Sequence, residues 1–463
     1  MSVIGAALSA NRTYSIEQAF NTQDITSAAM RQAIADWYGL YYCNADNAEE
    51  DTCQRLPVAV VSKLYKATFS EYSATGESTK AEFISDILDG LDKVRKRAVQ
   101  QMLISGRCYI KPMIGDPMAF AVIDRQSYIP FGMDALGNIT DIGTWEQTQE
   151  GNNVYTLLER RTVDASGRLT IVNRLYRSDS PGVLGVAVPL TSVDRYADLE
   201  ESMTFPEPVY SIGLIPLDCP AENCVDGSQS PVSVYAAACG LIHNINRNEA
   251  QINAEFENGR SRVFVSDDLL RKDRDGKRKF DRTLFTGLDE SSEDIGVTIF
   301  SPELREQSYL NRKTEYLRNI ESLIGIKRGL LSQVESTEKT ATEITSSAGE
   351  YNLAIIDFQQ EWERTVREAV RVCNILGQMY HICDSTGVDP DKDVSISWGN
   401  GILYDEDQAW ADYKAMVSAG MLKPEIALGW YFDLPTETPE DLAAIREKYM
   451  PDAPEADNGN GDF

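Results

Sequence analysis

Apolar residues recur at helical spacing along the opening of the chain. In TSAAMRQAIADWYGLYY, residues 26–42, the apolar positions fall on helical intervals. Over residues 80–106, Phe83, Ile87, Leu91, Val94, Ala98 and Met102 form one stripe, and Gly106 ends it. The period then shortens. RCYIKPMI, MAFAVI, VYTLLERRTV and RLTIVNRLYR read as strands, the last two joined by a DASG turn at residues 164–167. DALGN, residues 134–138, is a further turn signal. The pattern predicts a mixed α+β region up to residue 225.

Long helices take over from there. Ser230 reads as an N-cap with Pro231 at the first helical position. Val234, Ala238, Leu241, Ile245, Ile252 and Phe256 fall on one stripe, and Gly259 is a stop. Asn244, Asn246, Asn248 and Asn253 fill other positions. Such a helix is roughly 40 Å long. A second begins at Ser301 and Pro302, with Glu303 in its first turn. Leu310, Leu317 and Ile324 recur every seven residues, with Tyr316 and Ile320 alongside, before Gly325. Each stripe is incomplete, so these helices need each other or further copies of themselves. Between them, the strand-like RVFV and VTIF bracket a charged turn.

The loop IKRGLLSQVESTEK has no clear period. Thr340 and Glu343 then form a capping-box pattern, and apolar positions run from Ile344 to Tyr380 at steps of three and four. That is roughly 55 Å of helix. Its first turns, within STEKTATEITSSAGE, are small and polar, which suits a bend facing something polar. DVSISWGNGILYDEDQ reads as a strand and turn, and short helices follow in QAWADYKAMVSAGMLKPEIALGW and TPEDLAAIREKYM. The closing PDAPEADNGNGDF is expected to be disordered.

Charge and composition exclude several functions. The chain has 463 residues and a net charge of −28, which argues against tight phosphate binding. The acidic surface is either a solubilising one or one that must not adhere to nucleic acid. The sign reverses locally between residues 259 and 282, where nine basic residues face five acidic ones. This is either a solvated hairpin tip, or a docking surface for an acidic partner or DNA phosphates. The eight cysteines form no CxxC pair and read as reduced small hydrophobes. His243 and His381, the only histidines, sit in helical patterns. No phosphate-binding, nucleophile-elbow, zincin or dinucleotide motif is present. Paired acids such as Asp405 with Asp407, or Glu200 with Glu201, read as solvated faces. No enzyme is expected from these residues, nor any catalytic residue, metal site, cofactor or membrane span. The N-terminus lacks the basic start of a secretory signal.

The order of these elements resembles portal proteins of tailed bacteriophages, of the siphophage type. The resemblance rests on SVYAAACGLIHNINRNEAQINAEFENGRSRVFV, on KTATEI and the loop before it, on SISWGNGILYDEDQ, and on VSAGMLKPEIALGWYFDLPTETPEDLAAI. It implies an α+β portal-protein fold with a mixed α/β wing, a two-helix stem, a small α/β clip, a long tunnel-side helix and a helical crown. Residues 1–228 are then the N-terminal part of the wing, 229–259 stem helix 1, 260–300 the clip and 301–325 stem helix 2. Residues 326–340 are the tunnel loop, 341–400 the long helix with the rest of the wing, 401–450 the crown, and 451–463 an acidic tail.

By the same resemblance, twelve subunits form a ring at one capsid vertex, through which double-stranded DNA is packaged, retained and ejected. Its implied partners are the terminase large subunit, a head–tail adaptor, and the major capsid and scaffolding proteins. It is implied to act in the virion after assembly in the bacterial host cytoplasm. Candidate channel residues are Lys327, Arg328, Gln333, Glu335, Lys339 and Thr340. Candidate clip docking residues are Arg271, Lys272, Arg274, Lys277, Arg278 and Lys279. Two other classes stay open on the residues alone: a non-conduit helical virion scaffold or adaptor, and a carboxylate-based enzyme such as a nuclease.

Overall fold

The computed structural model describes residues 16–43, 52–77, 80–113, 115, 118–258, 262–265, 271–272, 278–279, 297–300, 305–327, 329–332, 341–381, 388–398, 406–432, 434–436 and 438–450. They fall into two units. One comprises Met1–Thr68 with Ala74–Ile396, the other Phe69–Ser73 with Ser397–Phe463. The mixed α+β class expected from the sequence is observed.

In the larger unit, α1 (Ala28–Tyr42) starts where the Ser27 hydroxyl accepts the Met30 N–H. A second helix, α2 (Leu56–Phe69), was not among the predicted elements. Its LPVAVVSKLYKATF sequence is apolar without a clean stripe, so periodicity gives it little contrast. The central helix is α3 (Ala81–Ser105), which buries Ile84, Ile87, Leu91, Ala98 and Met102. It ends at Gly106, whose φ is +87° and whose added Cβ would lie 2.3 Å from the Pro231 carbonyl oxygen. Only glycine fits there.

Two antiparallel sheets follow. The first is three-stranded, with β2 (Arg107–Met113) between β3 (Ala119–Ile123) and β10 (Ile215–Asp218). The second runs β4 (Tyr128–Met133), β5 (Ile139–Glu150), β6 (Asn153–Val163), β7 (Arg168–Ser178) and β8 (Val186–Val188), with β9 (Ser202–Pro208) also on β7. Alternation buries both faces of this sheet. Trp145 and Leu158 pack with Ile16, Phe20 and Ile129, while Tyr155, Leu157 and Leu175 pack with Leu190, Val193 and Tyr196. The Asp164 carboxylate closes the predicted β6–β7 turn by accepting the Ser166 and Arg168 N–H groups. A buried ion cluster joins the sheets. Glu159 on β6 accepts Arg161 at 2.7 Å and Lys111 of β2 at 2.7 Å.

The helix predicted from Pro231 starts eight residues later, a correction to the sequence reading. Residues 231–235 are non-helical, Ala236–Ala238 makes one 3-10 turn, and α4 runs from Cys239 to Asn258. The reason is tertiary. The Ser233 hydroxyl and the Val234 N–H both donate to the Leu103 carbonyl, and Tyr235 donates to the Trp37 carbonyl. The chain thereby satisfies the end of α3 instead of propagating its own helix. The second predicted helix is α5 (Glu306–Ile324), closed by a left-handed Gly325 as expected. Its predicted cap at Ser301 lies outside the described residues.

The third long helix, α6 (Ala341–Met379), buries Ile355, Trp362, Val366, Ala369 and Cys373, and the Thr365 hydroxyl donates to the Pro216 carbonyl of β10. Its predicted cap at Thr340 lies outside the described residues. RVFV and VTIF form β11 (Arg262–Val265) and β14 (Val297–Phe300), paired antiparallel. Inside that bracket, β12 (Arg271–Lys272) pairs with β13 (Arg278–Lys279). A short pair joins β1 (Ser73–Gly76) and β15 (Val394–Ser397).

The smaller unit holds α7 (Glu406–Ser418), α8 (Pro424–Tyr431) and α9 (Pro439–Tyr449). Thr438 and Asp441 cap α9 reciprocally. Trp410, Tyr413, Trp430 and Tyr431 pack their rings between α7 and α8.

The reading of all cysteines as reduced is corrected at one place, because Cys43 and Cys53 form a disulfide. Cys108, Cys219, Cys224, Cys239 and Cys373 are free. Among the described residues, no helix is long and apolar enough to cross a membrane.

Candidate functional site

The two helices that the sequence left half-covered pack on each other. Lys313 donates to Glu249 at 2.7 Å, and Arg305 grips both oxygens of Glu255 at 3.0 and 2.6 Å. As numbering rises along α4 it falls along α5, so the pair is antiparallel. Hydrogen bonds from Arg305 bring the Glu255 carboxyl down to about 2, and the same bonds raise the guanidinium. At the root of the pair the apolar stripe is sealed: Ile242, Ile245 and Ile320 are at most 1% exposed. Further out it is open, with Phe256 45% and Leu310 41% exposed. Leu323 is also exposed. A second support for the root comes from residues 52–54. Thr52 donates to the Asn246 carbonyl, and the Gln54 N–H donates to Asn246 Oδ1.

Between α4 and α5 in the chain lie the paired strands β12 and β13. In their register, Arg271 stands opposite Lys279, and Lys272 opposite Arg278. Four of the six predicted docking residues are thus brought together on one two-stranded pair. Arg274 and Lys277 lie outside the described residues.

At the other end, α5 enters the segment predicted to be the channel loop. Lys327 is exposed and has no ion-pair partner among the described residues. Arg328, Gln333, Glu335, Lys339 and Thr340 lie outside the described residues. The residue that organises this turn is Glu321, which sequence reasoning missed. Its side chain is fully buried in the last turn of α5. It accepts the N–H groups of Gly329 (3.2 Å to each oxygen), Leu331 (2.5 Å) and Ser332 (2.8 Å), and the Ser332 hydroxyl (2.8 Å). Such a set of backbone donors is an anion-binding concavity filled by the chain's own carboxylate. Lys63 of α2, also missed, donates to the Leu330 carbonyl from the other side. The available signal was a carboxylate at a helix C-terminus, where it opposes the helix dipole and needs a local reason to be there.

His243, His381, Glu200 and Glu201 are exposed. Among the described residues, no group of three or more histidine, cysteine or acidic side chains is placed to hold a metal ion.

A family model described as phage portal protein, SPP1 Gp6-like, matches residues 69–452. No curated protein matches the chain. Among solved structures, a chain from the virion of a native gene transfer agent particle is 11% identical, with 87% of this chain and 93% of that chain covered and a TM-score of 0.45. A chain from the neck of the native gene transfer agent particle, computed with C12 symmetry, is 13% identical, with 89% and 96% covered and a TM-score of 0.41. At these scores the family assignment rests on the family match alone.

Proposed function

Because the chain belongs to the SPP1 Gp6-like family of phage portal proteins, we propose that twelve copies of it form a ring at one capsid vertex of the virion. Double-stranded DNA passes through this ring during packaging and ejection, and is retained by it in between. The α4–α5 pair is the stem, residues 260–300 the clip, residues 326–340 the channel loop and residues 401–450 the crown. The terminase large subunit and then a head–tail adaptor dock on the clip, and the major capsid and scaffolding proteins hold the rim.

The observation that carries this reading is a family match spanning most of the chain. Physical features support its parts. A conduit must not hold its polymer, since each neutralised phosphate adds salt-dependent affinity. A net charge of −28 per subunit gives a repelling wall. The exposed Lys327 at the start of the loop offers a contact without a grip. Sequence reading has no use here, as any genome segment must pass. The apolar residues left open at Phe256 and Leu310 are covered by a neighbouring copy, as a head-to-tail ring provides. The excess of basic residues between 259 and 282 suits an acidic docking partner.

Negative-stain images of the purified full chain test the reading. Closed rings with a central hole and twelve-fold end views are expected. A stable monomer or dimer at high concentration overturns it and favours a non-conduit scaffold or adaptor.

A further inference from the structure

Cys43 and Cys53 are ten residues apart in sequence, with Cα atoms 5.8 Å apart. That separation is the one a disulfide spans. Cys43 ends α1, its N–H donating to the Gly39 carbonyl. Cys53 lies in residues 52–55, the stretch that braces α4. On one side of Cys53, Thr52 donates to the Asn246 carbonyl at 3.0 Å. On the other, the Gln54 N–H donates to Asn246 Oδ1 at 2.9 Å. Asn246 is 3% exposed, so the brace seats on the inner face of α4. The sulfur bridge therefore links the end of α1 to a support of the first long helix.

The backbone there is held in an unfavourable shape. Cys43 (φ +56°), Cys53 (φ +39°) and Arg55 (φ +53°) all adopt the left-handed region. Residues with a Cβ occupy it at a cost and keep it only where other links over-determine it. Here those links are the bridge and the two bonds to Asn246. Both cysteines are half-buried, within reach of a small reagent. Most of the free cysteines compete poorly. Cys108, Cys219 and Cys373 are buried, and burial pushes the Cys219 thiol up to about 12 and Cys108 higher still. Burial also raises Cys239 to about 12. Thiols held protonated react slowly.

We propose that Cys43 and Cys53 are a thiol–disulfide exchange site, and that their oxidation by a small-molecule disulfide such as glutathione disulfide locks residues 52–55 onto α4. One cysteine thiolate attacks a sulfur of the small disulfide, expelling one small thiolate and leaving a mixed disulfide. The second cysteine thiolate attacks the protein sulfur of that bond and expels the other. The two cysteines are oxidised, the small disulfide is reduced to two thiols, and the two cysteine protons end on those thiols. In a reducing compartment the brace is held by hydrogen bonds alone. In oxidising surroundings it is bolted. This inference stands independently of the ring.

The test uses the full chain equilibrated with reduced glutathione or with glutathione disulfide. Each sample is quenched in acid, denatured and alkylated. All eight cysteines are expected to alkylate in the reduced sample and two fewer in the oxidised one, with the cross-linked peptides mapping to Cys43 and Cys53. Amide exchange at Gln54 and its neighbours is expected to be about tenfold slower in the oxidised sample. The Cys53→Ser variant is expected to exchange at the reduced rate in both buffers. Eight alkylated cysteines in glutathione disulfide, a cross-link elsewhere, or exchange at Gln54 that ignores the bond would each overturn the proposal.

Discussion

Removing the Glu321 carboxylate tests whether one buried anion holds the turn that leads out of α5. The perturbation is Glu321→Ala, with Glu321→Gln beside it. In the native chain four donors converge on the two oxygens: three backbone N–H groups and the Ser332 hydroxyl. No cation stands among these direct partners, and the oriented N–H dipoles offset the charge. A hydrogen bond to a charged group contributes about 1.5–3 kcal/mol. Four such bonds do not add, because they share one acceptor group and the turn moves as a unit. Gly329, Leu330 and Leu331 are only half-buried, so their N–H groups regain water once the turn opens. The expected loss is therefore about 3 kcal/mol in the opening free energy of residues 329–332.

Since 1.4 kcal/mol is a factor of ten, that loss means about a hundredfold faster exchange at the Leu331 and Ser332 amides. Hydrogen exchange read by mass spectrometry on peptides covering residues 326–332 measures it. Amides around Leu158, in the sheet, serve as the internal reference and are expected to stay unchanged. The glutamine variant is expected to fall between the two. It keeps one acceptor oxygen but turns an NH2 donor toward other donors. Unchanged exchange at Leu331 and Ser332 in Glu321→Ala refutes the anchoring role. Rates raised equally in the sheet would mean that the carboxylate supports the whole unit rather than the turn.

Burial raises the Glu159 carboxyl, but the charges of Arg161 and Lys111 outweigh it and bring it to about 2. A depressed carboxyl contributes stability above its unfolded value of 4.5 and loses it as pH falls toward 2, here about 3 kcal/mol. Urea midpoints across that window are expected to fall less steeply in Glu159→Gln, which at pH 7 is itself about 3 kcal/mol less stable, because Arg161 is left buried and Lys111 half-buried without their anion. For the clip, changing Lys277, Arg278 and Lys279 together to Glu is expected to weaken co-purification with the terminase or the adaptor by about tenfold or more. Unchanged binding returns these side chains to a solvated tip.

Where a residue's structural reason lies within a few positions of it, the sequence announced it. The Asp164 turn, the Gly106 and Gly325 helix ends and the RVFV–VTIF pairing are all local or pattern-borne, and all are present. What failed was decided at a distance. The Ser230–Pro231 signal is a sound helix start, yet Ser233 and Val234 bond to Leu103, about 130 residues earlier, and the helix waits until Cys239. The Cys43–Cys53 bridge carries no spacing signature, because a ten-residue separation matches no metal or redox motif. Glu321 is the intermediate case. Its partners lie only eight to eleven residues ahead, but they are backbone groups, and backbone has no letter in a sequence. The letter that does show is the glutamate at the wrong end of a helix dipole. An acid in that position, followed by a left-handed glycine and a short loop without periodicity, asks for donors that the helix itself cannot supply. The nearest uncommitted N–H groups belong to the loop that follows.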